Sequence, residues 1–166
     1  CEKSSWNFIV FKGTILLCYK QELKNVKYSI SREQHFFFEQ QQYIEFDELL
    51  SSTEQKTLFD ALKKVHVSTR DLSHSVSEIK AITHMSRLAK LASELTHIRH
   101  LRFGFDQVLC PPIATVNLHE EVCIQGLVCV LYICLDGDVG HGIFARPIAQ
   151  LTSLPLHPDK RYFLMG

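Results

Sequence analysis

Net charge is the first thing this sequence lacks. Eighteen basic and eighteen acidic residues cancel over 166 positions, so no overall field gathers phosphates, and no Lys/Arg run is long enough to follow a nucleic-acid backbone. That argues against nucleic acid as a partner. The second absence is any C-x-x-C pair among the six cysteines, Cys1, Cys18, Cys110, Cys123, Cys129 and Cys134. Structural zinc needs short, repeated ligand spacings, whereas three of these cysteines sit in or beside apolar strand-like sequence, where a thiol behaves as a small hydrophobe. The expectation is a set of reduced, buried thiols in a cytoplasmic protein. Long hydrophobic runs are missing as well: residues 122–135 and 8–19 are too short to span a bilayer, and the second is broken by Lys12-Gly13. No membrane span is expected. The sequence also shows no repeat, no low-complexity tract and no methionine before Met85. A fragment, a processed product and a frame with an unnatural leader all stay open. Residues 1–25 put a basic residue before an apolar stretch, the outline of a signal peptide, but no small-residue cleavage site follows.

What is present suffices for a core. With 46% hydrophobic residues in 166, the length suits one domain, and a chain of that size buries roughly 70% of the surface it exposes when unfolded. Residues 8–17 flank Lys12-Gly13-Thr14 with β-branched and aromatic side chains, a hairpin pattern, with an uncertain leader over 1–25 as the alternative. Ser31 and Gln34 have capping-box spacing and open a helix to about Gln42, with Phe36, Phe37 and Phe38 expected on its apolar side. Tyr43-Ile44-Glu45-Phe46 reads as a short strand. Ser51 and Glu54 form a second capping box, and Leu58, Phe59, Leu62 and Val65 fall at helical spacing. Two more helical pieces, about 75–83 and 86–95, present Ile79, Ile82, Leu88, Leu91, Ala92 and Leu95.

After Thr96 the period becomes strand-like. Leu101, Phe103 and Phe105 alternate with Arg102, Gly104 and Asp106. Residues 127–135 contain no charge, glycine or proline, so both faces of that run must be covered, which makes it the expected centre of a sheet. Its expected neighbours are strands at about 99–109 and 142–145. Asp136-Gly137 marks a turn. Residues 143–145 and 162–165 are further short strands. The fold class is therefore α+β: one domain over 26–166, mainly helical over 26–96 and mainly β over 97–166.

Candidate chemistry centres on His119-Glu120-Glu121. Residues i and i+2 of a strand share a face, so His119 and Glu121 can offer an imidazole and a carboxylate to one cation, two of the three donors of a 2-His-1-carboxylate iron site. An ordinary exposed turn is the alternative. His97 and His100 alternate with Arg99 and Arg102 and read as a solvated, weakly basic edge. Cys110 lacks an evident base to activate it. Asp106-Gln107 lines a pocket or forms a strand-end turn.

The order of several motifs carries a resemblance. Tyr43-Ile44-Glu45-Phe46-Asp47-Glu48-Leu49-Leu50-Ser51-Ser52-Thr53-Glu54-Gln55, then Arg70-Asp71-Leu72, then Leu88-Ala89-Lys90-Leu91-Ala92-Ser93-Glu94-Leu95, then Phe105-Asp106-Gln107-Val108-Leu109 with prolines close behind, is similar to the first half of phytanoyl-CoA dioxygenase-like proteins. The likeness spans about residues 40–137. It implies a helical part packed on a double-stranded β-helix, or jelly-roll, sheet, complete or cut short, and an oxygenase that uses Fe(II) and 2-oxoglutarate. His119-Glu120-Glu121 stands where that family has H-x-D, with Glu121 for the aspartate, and Cys110-Pro111-Pro112 stands where it has a lysine and prolines. The third metal ligand would be His157, between two prolines, or His141, in Gly140-His141-Gly142. Gln42 replaces the family's glycine, and no later histidine is followed by an arginine suited to the 2-oxoglutarate carboxylate. These departures imply an incomplete or degenerate site, with a non-catalytic ligand- or protein-binding module on the same fold as the alternative. A truncated sheet would have an exposed edge and would favour a homodimer. Residues 124–129 also resemble uncharacterised chlamydial proteins of no assigned activity.

Overall fold

The computed structural model describes residues 8–11, 14–17, 29–67, 69–111, 126–137, 140–147 and 154–166. β1 (Phe8–Phe11) and β2 (Thr14–Leu17) pair antiparallel as a two-stranded sheet, with Phe8 opposite Leu17. The two strands of the expected hairpin are therefore present, while the turn at Lys12-Gly13 lies outside the described residues.

Helix α1 (Arg32–Gln41) starts as its capping box requires: Ser31 Oγ accepts from the Gln34 N–H at 3.2 Å, and Gln34 Oε1 accepts from the Ser31 N–H at 2.9 Å. It stops at Gln42, whose left-handed backbone (φ 65°) sends its N–H to the Phe38 carbonyl at 2.9 Å. The expectation that Phe36, Phe37 and Phe38 share the core side is corrected. Phe38 is fully buried, but Phe36 is 69% exposed, because consecutive helical residues lie about 100° apart and three in a row cannot face one way. After β3 (Tyr43–Phe46) comes α2 (Ser52–Leu62), capped by the Ser51–Glu54 box. Leu58 and Leu62 are its buried contacts. Phe59, expected beside them, turns outward under the Arg161 guanidinium for the same geometric reason. β4 (Thr69–Arg70), a 3-10 helix (Leu72–His74), α3 (Ser77–Thr83) and α4 (Ser86–Thr96) complete the first part, close to the bounds expected for the helices. Among the described residues no helix is long and apolar enough to cross a membrane.

The second part supplies β5 (Asp106–Leu109), β6 (Val130–Cys134), β7 (Gly142–Ala145) and β8 (Tyr162–Met165). With β3 and β4 they make a six-stranded antiparallel sheet in the order β3-β7-β6-β8-β5-β4. The chain is thus a mixed α/β protein. β6 is an inner strand, as its uncharged run requires, but its neighbours are β7 and β8. The expectation that residues 99–109 lie next to it is corrected, since β8 inserts between β6 and β5. Burial of a run can be read locally, whereas which distant strand fills the gap depends on pairings across the whole chain. Residues 101–105 alternate in burial as expected but precede the ladder, and Gly166 closes them onto the end of β8: its carbonyl accepts from the N–H groups of Gly104 (2.7 Å) and Phe105 (3.2 Å).

Side-chain alternation sorts the core onto the two faces of the sheet. On the first face Leu131, Ile133, Phe144 and Phe163 pack against the helical layer through Phe38, Leu58, Ile79 and Leu91. On the second face Val130, Tyr132, Cys134, Ile143, Tyr162 and Leu164 form their own cluster with Leu154. The close approach on the first face is visible at Gly142, where an added Cβ would stand 2.5 Å from Leu49 Cδ2. Asp106 is fully buried yet satisfied. Its Oδ1 accepts from the Leu72 N–H at 2.7 Å and its Oδ2 from the Ser73 N–H at 3.0 Å, capping the 3-10 helix. That is a structural role for a carboxylate in which the sequence allowed a pocket.

Candidate functional site on the second face of the sheet

Polar groups converge on the second face. Tyr43 and Glu45 stand two apart on β3 and so share a side, Tyr132 and Cys134 do the same on β6, and the ladder sets Cys134 opposite Tyr162 on β8. His141 lies two residues before Ile143 of this face, and its carbonyl accepts from the Cys134 N–H at 3.3 Å. Its ring Nε2 is 3.0 Å from Glu45 Oε2, with the two side chains 23% and 32% exposed. On β8 the Tyr162 hydroxyl accepts from the His157 N–H at 2.9 Å.

Burial sets the protonation of this group. It pushes the Tyr162 hydroxyl up to about 12, with the Cys134 thiol and the Glu45 carboxylate adding to it. It raises Tyr132 and Cys134 too, and it raises Tyr43, where the Glu45 charge is the second cause. Low-dielectric surroundings disfavour the charged forms of thiols and phenols. At neutral pH the face therefore presents O–H and S–H groups, not phenolate or thiolate. Cys129, at about 12, and Cys110 are raised by burial as well. A nucleophilic cysteine needs a lowered pKa, which none of these three has; all three are free thiols, Cys129 and Cys134 buried as expected and Cys110 only partly so, while Cys1, Cys18 and Cys123 lie outside the described residues.

The donors expected to hold iron fare differently. His119 and Glu121 lie outside the described residues. His157 is exposed on the segment leading into β8. His141 is on the right face, and its partner is Glu45. One imidazole and one carboxylate are fewer than the three protein donors an iron centre of this type takes, and among the described residues no three His, Cys, Asp or Glu groups come together. The described donors alone do not fit an iron centre. Two arginines are also committed to carboxylates: Arg161 holds Asp136 through Nη2–Oδ1 at 2.7 Å and Nε–Oδ2 at 3.0 Å, and Arg146 holds Glu39. The Glu45–His141 pair is a feature that sequence reasoning missed. Its partners are far apart in the chain, and Gly140-His141-Gly142 reads locally as a turn.

No family model matches the sequence, and no curated protein matches it. Solved structures do. CT296 from Chlamydia trachomatis is 18% identical over 86% of this chain and 96% of its own, with a TM-score of 0.64. Its selenomethionine-labelled form gives 18% identity, 86% and 97% coverage and a TM-score of 0.62. A viral collagen prolyl hydroxylase from Paramecium Bursaria Chlorella virus-1 reaches 14% identity over 89% of this chain and 97% of its own, at a TM-score of 0.49, too distant to carry an argument. At this identity the likeness to CT296 shows a shared fold alone.

Proposed function

We propose that this chain is an oxygenase-fold protein of the phytanoyl-CoA dioxygenase type whose iron centre is incomplete, and that it acts in the cytoplasm as a binding module through the second face of its sheet. The observation that carries this reading is the engagement of His141 by Glu45 while His157 faces outward. Neutral tyrosine and cysteine groups on the same face suit hydrogen bonding to a ligand and give no prepared nucleophile. An edge-to-edge homodimer belongs to the same reading, because β3 and β4 end the sheet.

The second reading is catalytic, favoured by the family position of His119-Glu120-Glu121. In it His119, Glu121 and His157 hold Fe(II), which with 2-oxoglutarate supplies an oxidation that no side chain performs. Anaerobic addition of Fe(II) and 2-oxoglutarate separates the two. The proposal expects at most a faint charge-transfer absorbance in the visible range, removed by His119→Ala. A strong band lost in His119→Ala would establish the catalytic reading, and a strong band that survives it would move the metal elsewhere.

A further inference from the structure

A cleft of about 440 Å³ opens on the first face, away from the polar row, between α4 and the ends of the inner strands. Its floor is Leu131, Phe144 and Met165. α4 contributes Leu88 with Ala89 and Ala92, and the two alanines, one turn apart on one side of the helix, leave the space that leucines at 91 and 95 fill elsewhere along the same helix. Ile98, residues 100–104 and the entry to β6 line the other sides.

Charge is distributed unevenly around the opening. Among the described residues no aspartate or glutamate lines the cleft, whereas His100 and Arg102 do, and both are exposed. Among the described residues neither is in an ion pair with a carboxylate. The sequence around them, His97-Ile98-Arg99-His100-Leu101-Arg102, has four basic or titratable cationic side chains and no acid. Among the described residues the interior offers no comparable polar group: the Thr83 hydroxyl is already bonded to the Lys80 carbonyl (3.1 Å) and His84 Nδ1 (2.9 Å), and burial keeps the Cys129 thiol neutral. Small-molecule sites commonly have this volume, largely apolar walls and a few polar groups that fix orientation.

We infer that this cleft binds a small apolar monocarboxylate, its carbon body against Leu131, Phe144 and Met165 and its carboxylate on Arg102 and His100. Arg pairs well with a carboxylate because its planar fork donates two parallel hydrogen bonds. The inference is independent of the proposed function, since it uses the opposite face of the sheet. Its test is calorimetric titration of the full chain with octanoate, octanol and octylamine. Octanoate should bind best, Arg102→Gln should weaken octanoate by about tenfold and leave octanol unchanged, and Ala92→Leu should abolish both while thermal unfolding stays cooperative. Equal binding of octanoate and octanol, a preference for octylamine, unchanged octanoate binding in Arg102→Gln, or no binding of any probe would each overturn it.

Discussion

The two faces of the six-stranded sheet are built from the same short strands, yet they bury different chemistry. Among the described residues, the first face is aliphatic and aromatic across β6, β7 and β8 but for Met165, with the Cys129 thiol just ahead of β6, and its one buried carboxylate, Asp106, is consumed by two backbone N–H groups. The second face buries two phenols and a thiol among its apolar residues and has a Glu–His pair at its margin. Apolar burial stabilises without direction, whereas buried polar groups must be matched one by one. The first face should therefore hold the fold and the second should hold whatever is specific about the protein. Substitutions on each face test that division.

The largest effect is expected from cavities in the first face. Leu131→Ala or Ile133→Ala should cost about 2–5 kcal/mol, set against a total stability of about 5–15 kcal/mol for a domain. Urea unfolding measures this, and a loss under about 1 kcal/mol would mean that the helical layer does not pack there. Asp106→Ala comes next, at about 2–3 kcal/mol, because it leaves the Leu72 and Ser73 N–H groups without their charged acceptor. Hydrogen exchange at those two amides should accelerate more than at Leu164.

The layer above the first face also contains a pH-dependent tie. Arg87 donates Nη1–H to Glu54 Oε1 at 2.8 Å and reaches the Leu49 carbonyl at 3.3 Å. That hydrogen bond is the main reason the Glu54 carboxyl is held at about 2, below its ordinary 4.5. A depressed carboxylate stabilises the fold fully above its ordinary pKa and loses that contribution as the pH falls through about 4.5 toward 2. Glu54→Gln should cost roughly 1 kcal/mol at neutral pH and flatten the acid limb of the stability curve. An unchanged acid limb would assign it to other carboxylates. The smallest effect belongs to the second face: Tyr162→Phe removes the acceptor of the His157 N–H and should cost about 1 kcal/mol or less. A loss as large as that of Ile133→Ala would erase the division between the faces.

What the sequence disclosed follows the range of the interactions. The capping boxes at Ser31 and Ser51 are complete within four residues, and both are present. The uncharged stretch before Asp136 required cover on both sides and became inner strand β6, although only Val130–Cys134 enters the ladder. Phe36 and Phe59 face outward although they sit in apolar runs, because composition does not resolve the helical angle of each residue. Strand order escaped for another reason: β8 lies next to β6 through pairings across about thirty residues of chain, such as Leu131 with Met165, and no local pattern encodes that choice. The candidate site was less legible still. Glu45 and His141 meet because β3 and β7 are partners, a fact of topology, while His119 and Glu121 fall outside the described residues.

Whether the iron centre is incomplete is decided by anaerobic calorimetric titration of Mn(II), a redox-inert stand-in for Fe(II). The wild type, His119→Ala, His141→Ala and His157→Ala should all bind weakly, with His141→Ala and His157→Ala indistinguishable from the wild type. One tight equivalent per chain in the wild type, lost in His119→Ala and also in His157→Ala or His141→Ala, would contradict an incomplete centre and restore a three-ligand iron site.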